Sequence, residues 1–146
     1  MKEQLEKYLI RYSNFNQQEI DIIYNACSLQ TYKKKSLLLK QNNNCKYNFF
    51  ILKGLVRQFR VNDNGNENIS AFGVENWWIS NLDSFINQTH SLNSIQAIEE
   101  TIVLQITKKE LDKLFIEIPK LEQAFRKIYT NMIIALQRKN DVYIKE

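Results

Sequence analysis

The chain has 146 residues, 44% of them hydrophobic and 25% charged, with a formal net charge of +4. A chain of this length builds one proper core without disulfide or metal staples, and 3 Gly and 1 Pro exclude collagen-like and disordered classes. One histidine, His90, and two distant cysteines, Cys27 and Cys45, exclude a four-cysteine iron–sulfur cluster and any metal site needing two or three histidines from this chain; no catalytic residue and no metal ligand is assigned. The charged start, Met1 to Lys7, and the lack of an apolar run of about 18 residues lead us to expect a soluble, cytoplasmic protein with no membrane contact.

In chain order, Leu5, Tyr8, Leu9 and Tyr12 mark an amphipathic helix over residues 3–12. Ile20, Ile23, Tyr24 and Cys27 mark a second over 16–27, opened by Asn16 and Glu19 in a capping-box arrangement. Cys27 is expected to act as a small buried hydrophobe and Cys45 to sit in a loop. The period then changes to short runs rich in β-branched and aromatic residues, at 29–32, 37–39, 48–52, 55–61, 68–72, 94–98 and 102–106. Such runs, spaced by roughly ten residues, predict an antiparallel sandwich or jelly roll. Asn62 to Asn66, with Asn64-Gly65 inside, predicts a hairpin; Lys53-Gly54 predicts a second turn and Glu99-Glu100 a third. Lys33-Lys34-Lys35, between two apolar runs and without interleaved aromatics, reads as a solvated turn rather than a nucleic-acid patch.

The helical period returns from Lys108 to Ile116, and Pro119 opens a longer helix. There Leu121, Phe125, Ile128, Met132, Ala135, Lys139 and Val142 are separated alternately by four and three residues, the seam of a coiled coil. Leu121, Phe125, Ile128, Met132 and Ala135 are accordingly expected to form the seam of a homodimer, while Ile133 and Leu136 supply a second apolar edge.

Charge is unevenly spread. Residues 1–60 hold 11 Lys/Arg against 4 Asp/Glu and residues 101–146 hold 9 against 6, whereas residues 61–100 hold 6 acidic residues and no Lys or Arg. Such a stretch is poorly equipped to hold a phosphate.

Helices, about eight strands, a short helix and a long heptad helix form a layout whose residues carry a family likeness. Phe49 to Arg57 followed by Asp63-Asn64-Gly65-Asn66-Glu67, then Asp83-Ser84-Phe85, then Ser94 to Leu111, then Ile118-Pro119 leading to Ala135-Leu136-Gln137-Arg138, resembles the Crp/Fnr superfamily of bacterial transcription regulators. The likeness runs from about Phe15 to Arg138. It implies an α+β, mainly β fold: an antiparallel double-stranded β-helix (jelly-roll, cyclic nucleotide-binding-type β-roll) with N-terminal helices and a long C-terminal dimerisation helix. It divides the chain into a cyclic nucleotide-binding-like domain at 1–117 and a dimerisation helix at 118–146, and implies ligand sensing, not enzyme catalysis.

The resemblance also places ligand-pocket candidates: Trp77, Trp78, Ser80, Asn81, Asp83, Ser84 and Ser91. Of the two tryptophans, one is expected inside the roll and the other on the surface or over the pocket mouth, with core packing preferred to ligand stacking. Members that bind cyclic nucleotides carry a Gly-Glu pair for the ribose and an Arg for the phosphate. By placement these fall near Ser80-Asn81 and near Ser91, and neither is present, so cyclic AMP in the usual pose is doubtful and no cofactor is assigned; an unknown small ligand stays possible. Arg57 and Arg60 are read as outward-facing sheet charges. His90 reads as an exposed loop residue, although some gas-sensing relatives use histidine as an axial haem ligand. No helix–turn–helix pattern follows Arg138, so DNA contact is expected only through a domain outside this chain. The alternative reading is a free-standing interaction or small-ligand-binding module that does not act on DNA.

Overall fold

The computed structural model describes residues 1–145, with side chains described through Asp141. Helix α1 (Lys2–Leu9) buries Leu5, Tyr8 and Leu9, the apolar stripe that its spacing predicts. Helix α2 (Gln17–Ala26) starts at Asn16, whose side chain accepts from the Glu19 amide at 2.8 Å while the Glu19 carboxylate accepts from the Asn16 amide at 2.9 Å. Both halves of the capping box are therefore formed, satisfying two backbone donors that a helix start otherwise leaves unpaired.

Eight strands follow: β1 (Ser28–Tyr32), β2 (Leu37–Leu39), β3 (Tyr47–Lys53), β4 (Val56–Val61), β5 (Glu67–Gly73), β6 (Trp78–Ile79), β7 (Ser94–Ala97) and β8 (Thr101–Thr107). They form two four-stranded antiparallel sheets, ordered β1-β8-β3-β6 and β2-β7-β4-β5. Between β6 and β7 lies a short helix, α3 (Leu82–Asn87). Helix α4 (Lys108–Glu117), capped by Thr107, leads into α5 (Pro119–Lys145).

Apart from β4 and β5, which share a sheet, consecutive strands lie in different sheets. At Gly54 the chain passes from β3 to β4 with φ at 123°, and a Cβ there would stand 2.5 Å from Thr101 Oγ1 and 2.7 Å from Thr101 Cα. The Asn62–Asn66 turn joins β4 to β5 as the expected hairpin, with the Asn62 side chain accepting from the Asn64 and Asn66 amides, each at 3.0 Å. Glu99-Glu100 does not close a hairpin as its turn residues suggest: β7 and β8 lie in different sheets, and the exposed pair lies where the chain crosses between them. Lys33, Lys34 and Lys35 are exposed between β1 and β2, as a solvated turn should be.

Alternation along β3 sorts the core into two layers. Ile51 faces the roll interior, where it meets Val56 and Ile79 around Gly73. The opposite face of β3 meets the helices: Phe50 packs at a tilt against Tyr8 and against Trp78, and Asn48 donates to the Tyr129 hydroxyl at 3.4 Å. Trp78 in turn packs on Phe125 and Phe125 on Tyr129, so aromatic rings run from α1 across the sheet to α5 at centroid spacings of 5.1 to 5.7 Å. Lys120 holds the start of α2 by donating to Glu19 and to the Asn14 carbonyl, and Lys127 donates to the Tyr12 carbonyl.

The heptad stripe of α5 divides along its length. Leu121, Phe125 and Ile128 are 1%, 2% and 4% exposed, covered by the chain's own core, so these three do not face a partner as the seam reading expects. A helix stripe records only that a face is apolar, and here the roll claims the first turns. Beyond Tyr129 the helix leaves the roll, and Met132, Ile133, Ile134, Ala135 and Leu136 are exposed. Val142, the last step of the heptad, lies outside the residues whose side chains are described.

Candidate functional site

The segment from Trp77 to Ser91 contains every sequence-predicted pocket residue, and the structure gives most of their polar atoms to local folding. Asn81 caps α3 by accepting from the Ser84 amide at 3.0 Å. Asp83, exposed in the first turn of α3, accepts from Asn87 Nδ2 at 2.7 Å. Ser84 is buried; its hydroxyl donates to the Thr89 carbonyl and accepts from the Cys45 amide at 2.8 Å, tying α3 to the loop that precedes β3. Ser91 is fully buried, its Oγ donating to the Asn93 carbonyl at 2.8 Å and accepting from the Asn93 amide at 3.1 Å. Ser80 is half-buried between β6 and α3.

The tryptophans separate, Trp77 lying just before β6 and Trp78 beginning it. Trp77 is 53% exposed, whereas Trp78 is buried between the sheet and α5, not inside the roll. Its indole N–H is buried without an acceptor. Neither tryptophan, and none of the other five candidates, lines either of the two cavities described below.

A cyclic nucleotide needs a cation for its phosphate, and the segment from Trp77 to Ser91 supplies none. No Lys or Arg occurs from 61 to 100. Arg57 lies on β4 with its guanidinium donating to Gln96 Oε1 at 2.9 Å and to Glu67 at 2.6 Å, over the Phe59 ring at 4.1 Å. Arg57, Gln96 and Phe72 are paired across β7, β4 and β5, and Phe72 is 49% exposed, so this arginine is held on the sheet's outer side. A desolvated phosphate without its cation forfeits a charge-assisted bond of about 1.5–3 kcal/mol.

Neither thiol has the electropositive surroundings of a reactive cysteine. Burial pushes the Cys27 thiol up to about 12, and it donates weakly to the Ile23 carbonyl at the end of α2. Cys45 is fully buried in the loop before β3, and burial likewise raises its pKa.

Two cavities bear on where a ligand could sit. One, of about 920 Å³, lies between α1 and the ends of β3 and β5. The other, of about 550 Å³, opens at one end of the roll between the β2–β3 loop and His90, with Tyr47 and the buried Phe49 also in its lining. Sequence reasoning passed over the second. Its signal was the polar run Gln41 to Cys45 flanked by Lys40 and Lys46, which reads as an ordinary loop until the fold sets it beside His90.

Comparison with known proteins resolves the family. The model for the cyclic nucleotide-binding domain matches residues 29–117, from β1 through the end of α4. The chain belongs to the cyclic nucleotide-binding domain family. It is 27% identical over 119 residues to the anaerobic regulatory protein of Pasteurella multocida, covering 81% of this chain and 43% of that one. The catabolite activator protein of Thermus thermophilus superposes with a TM-score of 0.77 at 16% identity, over 93% of this chain and 62% of that one. The sensor domain of the transcriptional regulator DNR from Pseudomonas aeruginosa superposes with a TM-score of 0.74 at 14% identity, over 95% of this chain and 91% of that one. These likenesses agree with the Crp/Fnr resemblance and the β-roll fold read from the sequence. The chain spans less than half the length of the curated relatives it matches. No described helix is long and apolar enough to cross a membrane.

Proposed function

We propose that this chain is the sensing and dimerisation part of a Crp/Fnr-type transcription regulator, with residues 1–117 as the sensor, residues 118–146 as the dimerisation helix and a cyclic nucleotide site that has lost its phosphate anchor. The carrying observation is the way α5 spans both tasks. Its first turns join the roll's core through Leu121, Phe125 and Ile128, and its continuation carries Met132, Ile133, Ile134 and Leu136 at 45%, 64%, 38% and 60% exposure. Covering each such side chain contributes up to about 1.5–3 kcal/mol, and a second copy of the same helix is the partner that a heptad stripe suits.

A rearrangement of the roll around a ligand would reach the partner through the Phe50, Trp78 and Phe125 contacts and through the helix itself. DNA binding belongs, in this reading, to a helix–turn–helix domain outside these residues, and the protein is a cytoplasmic regulator with no enzymatic step. Multi-angle light scattering at tens of micromolar tests the dimer: the chain should elute at twice its mass, and a Met132→Lys, Leu136→Lys variant at the single mass with its melting temperature little changed. A monomeric parent chain would overturn the dimerisation role.

A further inference from the structure

The groove between α1 and β3 mixes Glu3, Glu6 and Glu75 with Lys7 and Lys53, so its charge selects no ligand class. The cavity at the mouth of the roll is different. Its volume of about 550 Å³ lies within the range of small-molecule sites, roughly 300–1,000 Å³. Lys40, Lys46 and His90 stand on its rim and no Asp or Glu lines it.

The loop that carries these residues is braced. The Asn42 amide donates to the Ser91 carbonyl and the Ser91 amide to the Asn43 carbonyl, both at 2.8 Å. Asn44 Nδ2 donates to the Gln88 carbonyl at 3.2 Å, and Asn42 is held at φ 75°. The loop's backbone is thus fixed while its outward groups stay unused. Among the described residues, Lys40 and Lys46 form no ion pair, and the side chains of Asn42, Asn43 and His90 form no hydrogen bond. Donors and cations gathered on a rigid loop beside the half-buried Tyr47 ring suit a ligand with an anionic head and a flat apolar body.

We propose that the roll mouth binds a small organic anion, Lys40 and Lys46 neutralising its carboxylate or phosphate and the half-buried Tyr47 ring carrying its apolar part. None of Trp77, Trp78, Ser80, Asn81, Asp83, Ser84 and Ser91 lines this mouth, so it is a separate place from the family's nucleotide site and does not restore that site's phosphate anchor. Because that loop is bonded to Ser84 of α3 and to Ser91, occupancy would be transmitted to the segment between β6 and β7. The proposal rests on the reading of the roll as a ligand sensor and names what it senses.

Titration of the isotope-labelled chain with benzoate, phenyl phosphate and the uncharged benzamide, at fixed ionic strength and read by amide shifts, tests it. Saturable shifts at residues 42–46 and His90 are expected with at least one anion, the responding anion telling carboxylate from phosphate. Benzamide, and the anion on a Lys40→Gln, Lys46→Gln variant, should bind at least tenfold more weakly. Benzamide equal to the anions, an unaffected variant, or no saturable shift with either anion would overturn the proposal. Diffusion measured on the same samples keeps the readings apart: a dimer without shifts removes only the mouth site, and a monomer with shifts removes only the dimer.

Discussion

Gly54 turns the chain from one sheet to the other at a φ of 123°, with no room for a Cβ beside Thr101. Gly54→Ala combines backbone strain with a clash against backbone, and should cost at least about 2 kcal/mol, read as a lowered midpoint in urea. The Tyr129 hydroxyl, buried against β3, has its pKa raised from 10.0 to about 12 by desolvation, which the hydrogen bond from Asn48 only partly offsets. The neutral phenol is favoured in the folded state, so its contribution is complete below pH 10 and is lost as pH rises from 10 toward 12. Cys27 acts in the same sense from about pH 9, its ordinary value being 9.0. Stability should therefore fall by up to about 1.4 kcal/mol per pH unit for each group across these windows, and a Tyr129→Phe chain should show a shallower slope in urea melts at pH 8 to 11. The same burial predicts that both thiols resist alkylation at neutral pH in the folded chain and react after unfolding in urea; prompt native labelling would contradict it.

The junction of β6 with α5 is the element on which the helix is seated. Trp78→Ala should cost about 3–5 kcal/mol by emptying a site shared with Phe50 and Phe125. Trp78→Phe should cost much less, because removing the indole also removes a buried N–H without an acceptor, itself a liability of about 1–3 kcal/mol. Equal losses in the two variants, measured by chemical denaturation, would show that the indole N–H matters to stability. At this scale the sequence was readable where a pattern is local: the Asn16–Glu19 box, the Asn64-Gly65 hairpin and the alternating strands all sit where their residues put them. β6, with two residues, and α3, with six, are too short to show a period, and they exist because the fold holds them. The heptad of α5 was legible as an apolar stripe, yet Leu121, Phe125 and Ile128 went to the roll because periodicity does not say what covers a face.

For the whole molecule, the two-sheet roll could be read from strand spacing and residue likeness, while the partition of strands between sheets could not, since β7 and β8 look like a hairpin in sequence and part at Glu99-Glu100. The candidate site was legible chiefly by what it lacks: no Lys or Arg occurs from 61 to 100, and the structure uses Asn81 as a helix cap and Ser91 within a turn. Lys40 and Lys46 escaped notice because only the folded loop sets them across from the cation-free stretch. The most direct test of a family roll without its phosphate anchor is calorimetric titration of this chain with cyclic AMP and cyclic GMP. No saturable heat is expected up to hundreds of micromolar nucleotide, and one-site binding in the low micromolar range would contradict the loss of the anchor.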